Sequence, residues 1–425
     1  MHYVIVGAGP AGVIAAETLA KTNPNGKITL LGDEPTLPYS RMAIPYFLSD
    51  QINEAGTYLR KEESYFPRNG IEFRHGRATG IRPQDGILEL DDGAILPYGR
   101  LLIASGSRPA APPIPGVDLP GVHHCWALHE ARQIRRLAKP GARVVLIGAG
   151  FIGCIIMEAL RERGATVTVL EAEKQILPRM MNGTGASLLK RWCVQKGVSV
   201  HTETRITEIE KRDAFDADSE LIVHRETGAS LTADLVVLAT GVRPNIEFLA
   251  GSGIEVDDGI LVDDHLQTNQ INIYAAGDVA QGKDWSTGKR TVHAIQPTAA
   301  EHGRVSACNM AGISTIYPGS FSMNVLDTMG LVSTSLGLWM GREGDDVTTL
   351  LDWDRYQYIR LVFDDDILVG AIGIGWAQST GVLRGLIQGK TRLGKWKKRL
   401  QADPTRVMES YVACIRDFQP TRSSP

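Results

Sequence analysis

Gly7, Gly9 and Gly12 stand in G-x-G-x-x-G spacing within "YVIVGAGPAGVIAAETLA", after a β-branched run and ahead of a helical pattern. Further on, "ITLLGDE" offers a second strand that ends in Asp33 and Glu34. A glycine fingerprint alone says little. Strand, glycines, helix, strand and acid in this order describe a dinucleotide-binding unit. The tight turn lets backbone N–H groups approach a pyrophosphate at the positive end of a helix, and the acid accepts hydrogen bonds from a ribose.

The same unit recurs. "ARVVLIGAGFIGCIIMEALRERGATVTVLEAE" carries Gly148, Gly150 and Gly153 after a strand, and Glu171 ends the next one. Two such units imply two bound nucleotides. Glu171 suits a free 2′-hydroxyl and would repel a 2′-phosphate, while the nearest cations, Lys174 and Arg179, lie further along the loop. NADH is thereby favoured over NADPH.

Three further stretches tie the units together. "LLIASGSRP" (101–109) and "LVVLATGVRPN" (235–245) are each an apolar strand running into a small-residue turn and an Arg-Pro, one after each unit. "INIYAAGDVA" (271–280) is a third strand, ending in Gly277 and Asp278. With these, the chain resembles the FAD- and NAD(P)-dependent pyridine nucleotide-disulfide oxidoreductase superfamily, strongly over about residues 1 to 310. The likeness is to its ferredoxin reductase and nitrite reductase branch.

That resemblance implies FAD on Gly7, Gly9, Pro10, Ala11 and Gly12, with Asp33 or Glu34 at its ribose and Arg41 near its phosphates or ring. It adds Ala104, Ser105, Gly106, Gly277 and Asp278, the last accepting from the ribityl chain, and a helix beginning at Gln296, Pro297 and Thr298 that aims its N-terminus at the flavin. NAD(H) falls on Gly148, Gly150, Phe151, Ile152, Gly153 and Glu171, with Ala239, Thr240 and Gly241 after the later strand. Family members usually carry a glutamate two residues after Gly153. Ile155 stands there, and Glu158, one turn along, is the substitute candidate for a catalytic residue.

The fold expected is α/β, with two Rossmann-like dinucleotide-binding domains, for FAD and NAD, and a smaller α+β C-terminal domain. The FAD domain is discontinuous, 1–115 and 243–318, with the NAD domain at 116–242 and an interface domain at 319–425. In the last, "YQYIRLVFDDDILVGAIGIG" reads as a hairpin turned at Asp364 to Asp366, and "STGVLRGLIQG" as a helix. A chain of 425 residues with 43% hydrophobic residues and a net charge of -3 is large enough for several cores and argues against nucleic acid as a partner. The apolar start lacks a basic leader, so neither a signal peptide nor a membrane span is expected, and the cytoplasm is the expected location.

Five cysteines, Cys125, Cys154, Cys193, Cys308 and Cys414, lie far apart, and no metal site is expected of them. In "GDEPTLPYSRMAIPYFLSD" the second half resembles the Cys-Gly-Leu-Pro-Tyr of coenzyme A disulfide reductases, with Met42 where the reactive cysteine would lie. A thioether cannot form a thiolate or a mixed disulfide. Met42 is expected to pack in the core or on the flavin. With thiols excluded, the electrons have three outlets: an iron–sulfur partner, a quinone-type small molecule, or dioxygen as in a self-sufficient NADH oxidase. The first is preferred, in a hetero-oligomeric complex such as that of a tungsten-containing aldehyde oxidoreductase; a non-catalytic FAD redox sensor is the contrasting reading. The basic stretch "LRGLIQGKTRLGKWKKRLQ" is the candidate surface for an acidic partner.

Overall fold

In the computed structural model, which describes residues 1–213 and 219–417, the opening apolar run forms strand His2–Val6 at the centre of a five-stranded parallel sheet. Lys27–Gly32 and Ile71–His75 flank it on one side; Arg100–Ile103 and Ile273–Ala275 flank it on the other. Val4, Ile5, Leu30 and Leu102 are wholly buried, as parallel strands covered on both faces require. Helices Pro10–Thr22 and Gln296–Met310 pack on each other beside this sheet. These elements belong to a unit made of Met1–Ala110, Trp126–Ala131 and Val242–Ser320.

The other unit holds Ala111–Cys125, Arg132–Gly241 and the described residues from Phe321 onward. Its parallel sheet repeats the first in miniature: Arg143–Ile147 is central, Thr166–Leu170 and Ser199–His201 lie to one side, and Leu235–Leu238 and Val122–His124 to the other. One difference is topological. The outer strand Val122–His124 comes from upstream of the central strand, whereas its counterpart Ile273–Ala275 comes from far downstream.

The two Arg-Pro runs, read as equivalents in the sequence, are partners in space. Ser107–Pro109 pairs antiparallel with Val242–Pro244, bringing Arg108 opposite Arg243 within the first unit. Ser320 also belongs there, its N–H donating to the Lys283 carbonyl at 2.8 Å.

From Met323 the chain builds a five-stranded antiparallel sheet in the order Met323–Thr328, Leu331–Gly337, Ile367–Ile374, Gln357–Asp364, Asp346–Asp352. The expected hairpin is present, with Asp365 left-handed at φ 56°, and the expected helix spans Thr380–Gln388. This sheet shares a unit with the Arg143 sheet; Asn182 Nδ2 donates to Tyr358 Oη at 2.8 Å and Trp192 Nε1 to the Thr328 carbonyl at 2.9 Å. Residues 418–425 of the expected C-terminal segment lie outside the described residues. Among the described residues no helix is long and apolar enough to cross a membrane.

Candidate functional site

At the first glycine loop, two glycines are demanded by the protein itself. Gly7 has φ +107°, and a Cβ there would fall on the Ala104 carbonyl; a Cβ on Gly12 would fall on the Gly7 carbonyl. Gly9 is different. Its backbone is ordinary extended chain at φ -76°, and a Cβ would meet no protein atom within 4 Å. No side chain caps the helix that begins at Pro10, so the amides of its first turn have no side-chain acceptor. An uncapped helix start behind a glycine turn is where a pyrophosphate binds.

The loops around it come from the C-terminal ends of three adjacent strands: His2–Val6, Arg100–Ile103 and Ile273–Ala275. This is where open α/β sheets bind ligands. Ala104 is buried, and Ser105 and Asn245 exchange side-chain and backbone hydrogen bonds at 2.8 and 2.9 Å. Gly106 and Gly277 hold φ +66° and +76°. Asp278 accepts from Ser107 Oγ at 2.8 Å, and burial pushes its carboxyl above the usual range. Gln296 Oε1 accepts from Ser40 Oγ at 2.5 Å, while Pro297 and the buried Thr298 complete the first turn of their helix.

Of the two acids after Lys27–Gly32, Glu34 is already engaged. Its carboxylate holds Arg41 Nη2 at 2.8 Å and accepts from Tyr39 Oη at 2.7 Å. Arg41 also donates to Tyr39 Oη and to the Trp126 carbonyl at 2.9 Å, with its guanidinium 5.2 Å from the Trp126 ring. Asp33 is exposed beside them. Thr36 Oγ1 is buried with no hydrogen-bond partner, a polar atom that the protein alone leaves orphaned.

Met42 does not enter the core. It lies on the three-residue turn Arg41–Ala43 and is 50% exposed, because a short turn at the surface leaves its side chain no packed face to join. None of the five cysteines is in a disulfide, and four are buried. Burial raises the Cys154 thiol far above its ordinary range and pushes Cys193 up to about 12, which keeps both as inert thiols.

The second glycine loop repeats the first. A Cβ on Gly148, at φ +103°, would meet the Ala239 carbonyl, and one on Gly153 the Gly148 carbonyl, whereas Gly150 has nothing within 4 Å and no side chain caps its helix Phe151–Glu162. Glu171 is buried, with Oε2 accepting from Ala149 N–H at 2.6 Å and Oε1 from Glu173 N–H at 2.9 Å. Thr240 and Gly241 are exposed after strand Leu235–Leu238. Phe151 and Ile152 form the first turn of the helix.

Glu158 turns toward the C-terminal sheet: its carboxyl accepts from Met329 N–H, and burial raises it, with Asp327 and Glu162 adding to the effect. Much of the basic stretch is committed internally. Lys397 pairs with Asp346 at 2.5 Å, Arg392 with Asp366 at 3.0 Å, and Arg399 covers Trp396. Around the first glycine loop, Tyr39, Ser107, Trp126 and Asn245 make the linking hydrogen bonds, a role their residue types alone do not reveal. The signal for Ser107 was present, in the small-residue turn ahead of Arg108. Among the described residues no group of three or more His, Cys, Asp or Glu could hold a metal ion.

A family model described as pyridine nucleotide-disulphide oxidoreductase matches residues 1–302. The chain is 32% identical over 409 residues to the NADH-dependent phenylglyoxylate dehydrogenase subunit epsilon of Aromatoleum evansii, covering 95% of this chain and 96% of that one. It is 28% identical to the rubredoxin-NAD(+) reductase of Ectopseudomonas oleovorans, over 91% of this chain and 99% of that one. Among solved structures, a ferredoxin reductase from Rhodopseudomonas palustris superimposes with a TM-score of 0.83 at 27% identity, covering 91% and 94% of the two chains.

Proposed function

The chain belongs to the pyridine nucleotide-disulphide oxidoreductase family, and from that premise we propose that it is an FAD-dependent NAD(H) oxidoreductase passing electrons between NAD(H) and an iron–sulfur partner. The observation that carries this reading is the pair Gly9 and Gly150: each is glycine where the fold itself has no need of one, at an uncapped helix start, once in each unit. The residues fit two dinucleotides.

FAD, when bound, would supply the redox chemistry, hydride exchange with NADH and single-electron release, through the cofactor's own reactivity. The protein's own groups bind and orient. Gly7 to Gly12 and the helix from Pro10 hold the FAD pyrophosphate, and Asp33, left available by the Glu34–Arg41 pair, takes the ribose. Asp278 accepts from the ribityl chain, aligned by Ser107. The helix from Gln296 would present its positive end to a bound flavin, favouring added negative charge by about 0.3–1 kcal/mol. Gly148 to Gly153 and Glu171 hold NAD(H). Glu158 is left without a catalytic role, since its carboxyl serves the Met329 turn.

Met42 in place of a thiol is what directs electrons outward to a partner rather than into a disulfide. The partner is a subunit of a larger oxidoreductase; support comes from a relative, itself a subunit, of which this chain covers 96%, and an aldehyde-oxidising enzyme is one member of that class. The test is to reduce the purified, FAD-loaded chain anaerobically with NADH and then add an oxidised ferredoxin or rubredoxin. Bleaching of the flavin followed by fast reduction of the iron–sulfur protein is expected. No transfer to either protein, together with rapid oxygen consumption in a parallel aerobic assay with NADH, would replace this reading with that of an NADH oxidase.

A further inference from the structure

We propose that selection against a 2′-phosphate at the second site is made by Glu173 and Glu203 rather than by Glu171, an inference that rests on reading the Gly148 unit as the NAD(H) site. Glu171 occupies the position a discriminating acid should hold, at the end of strand Thr166–Leu170. The residue is only 8% exposed, however, and each carboxylate oxygen already accepts a backbone N–H, from Ala149 and from Glu173. Those bonds clamp the glycine loop to the strand end. Glu171 is thereby a positioning residue for the loop, with lone pairs to spare for ribose hydroxyls but with its charge already solvated by amide dipoles.

Glu173 and Glu203 are both exposed and stand next to that clamp on adjacent loops. Glu173 supplies the N–H that holds Glu171, and its own carbonyl accepts from Glu203 N–H at 2.9 Å. Glu203 follows Ser199–His201, the sheet neighbour of Thr166–Leu170. It holds a left-handed backbone at φ 53°, unusual for a non-glycine residue and sustained here by its bond to the Glu173 carbonyl.

The rim also carries cations: Lys174 is exposed, and Lys190 Nζ donates to Thr202 Oγ1 at 3.0 Å. Without the two acids, these lysines would attract a phosphate. With them, a 2′-phosphate, carrying about -1.5 to -2 charge at neutral pH, meets like charge, while a 2′-hydroxyl loses nothing.

The test is equilibrium titration of the FAD-loaded full chain with NAD+ and NADP+ by calorimetry, which needs no turnover. Glu173→Gln should lower the ratio of the NADP+ to NAD+ dissociation constants by about five- to tenfold, and Glu173→Gln with Glu203→Gln further still. Raising the salt should narrow the wild-type ratio, by screening the repulsion, and widen that of the double variant, by screening the attraction of the unopposed lysines. Glu203→Gly, which suits the left-handed backbone, should reproduce the Glu203→Gln shift. Glu171→Gln should weaken both nucleotides together. An unchanged ratio in the double variant, with a collapsed ratio in Glu171→Gln, overturns the inference alone; a wild-type chain that does not bind NAD+ overturns the NAD(H) reading and this inference with it.

Discussion

Ser107 Oγ donates to the Asp278 carboxylate at 2.8 Å, joining the turn after strand Arg100–Ile103 to the turn after strand Ile273–Ala275. The bond favours the charged form of a carboxyl that burial pushes the other way. Asp278→Ala removes the acceptor and leaves Ser107 unpaired, at a cost of about 1–3 kcal/mol. The variant should lose FAD on gel filtration; full occupancy with an unchanged flavin spectrum would refute the assignment. Ser107→Ala should raise the Asp278 pKa further, so that FAD release on acidification begins at a higher pH than in the wild type.

The glycines separate into two kinds. Gly9→Ala and Gly150→Ala each add a methyl where no protein atom lies within 4 Å, at an ordinary backbone conformation. Stability should change by less than about 1 kcal/mol, while FAD affinity in the first and NAD(H) affinity in the second should fall at least about tenfold. Gly12→Ala and Gly153→Ala place the methyl on a carbonyl oxygen and should fail to fold stably. Thermal melts run beside ligand titrations distinguish the two behaviours.

His302 is 1% exposed. Its Nδ1 accepts from Gly277 N–H at 3.3 Å, its Nε2 faces Ser320 Oγ, and Tyr317 packs edge-on to its ring. Burial, helped by nearby His293, lowers its pKa to about 3. The unfolded histidine takes a proton near pH 6.5 and the native one does not, so stability is present above about pH 6.5 and is lost as the pH falls toward 3. Relative to His302→Gln, the wild type should lose about 2 kcal/mol between pH 7 and pH 5, read from urea denaturation at each pH. Parallel pH profiles for the two proteins would show that the imidazole is not held neutral.

Anaerobic titration with NADH should consume about one equivalent per FAD, because no cysteine precedes Cys125 and Met42 cannot store a second electron pair. Met42→Leu, at a half-exposed surface position, should cost less than about 1.5 kcal/mol in stability and leave flavin reduction unchanged. Iodoacetamide should likewise spare reduction. A reproducible demand for two equivalents would mean that a thiol takes part.

The inner strands of both parallel sheets were readable from the chain because strands buried on two faces are continuous apolar runs, and the glycine spacing fixes where each turns into a helix, whereas the outer strands Ile71–His75 and Ser199–His201, polar and partly exposed, were not. The Asp364–Asp366 hairpin was readable because its turn chemistry is local. Strand Val122–His124 was not: three residues, two of them histidine, carry no pattern, and only the neighbouring Leu235–Leu238 makes them a strand. Pairing of Arg108 with Arg243 joins segments far apart in sequence. At the sites, the loop residues were legible by type but their commitments were not. That Arg41 goes to Glu34, and that Glu171 goes to Ala149 N–H, are consequences of how the loops close.

The order of strands in the first sheet also sets a timetable for synthesis. Strand Arg100–Ile103 acquires its outer neighbour only when Ile273–Ala275 has been made. At about 5–20 residues per second, roughly 10–30 s separate the two. Until then the backbone edge of Arg100–Ile103 has no partner strand, whereas every strand of the Arg143 sheet, Val122–His124 first, has already been made. All strands of the second nucleotide sheet are therefore synthesised before the last strand of the first, whose unpaired edge is in the meantime the one open to a wrong partner.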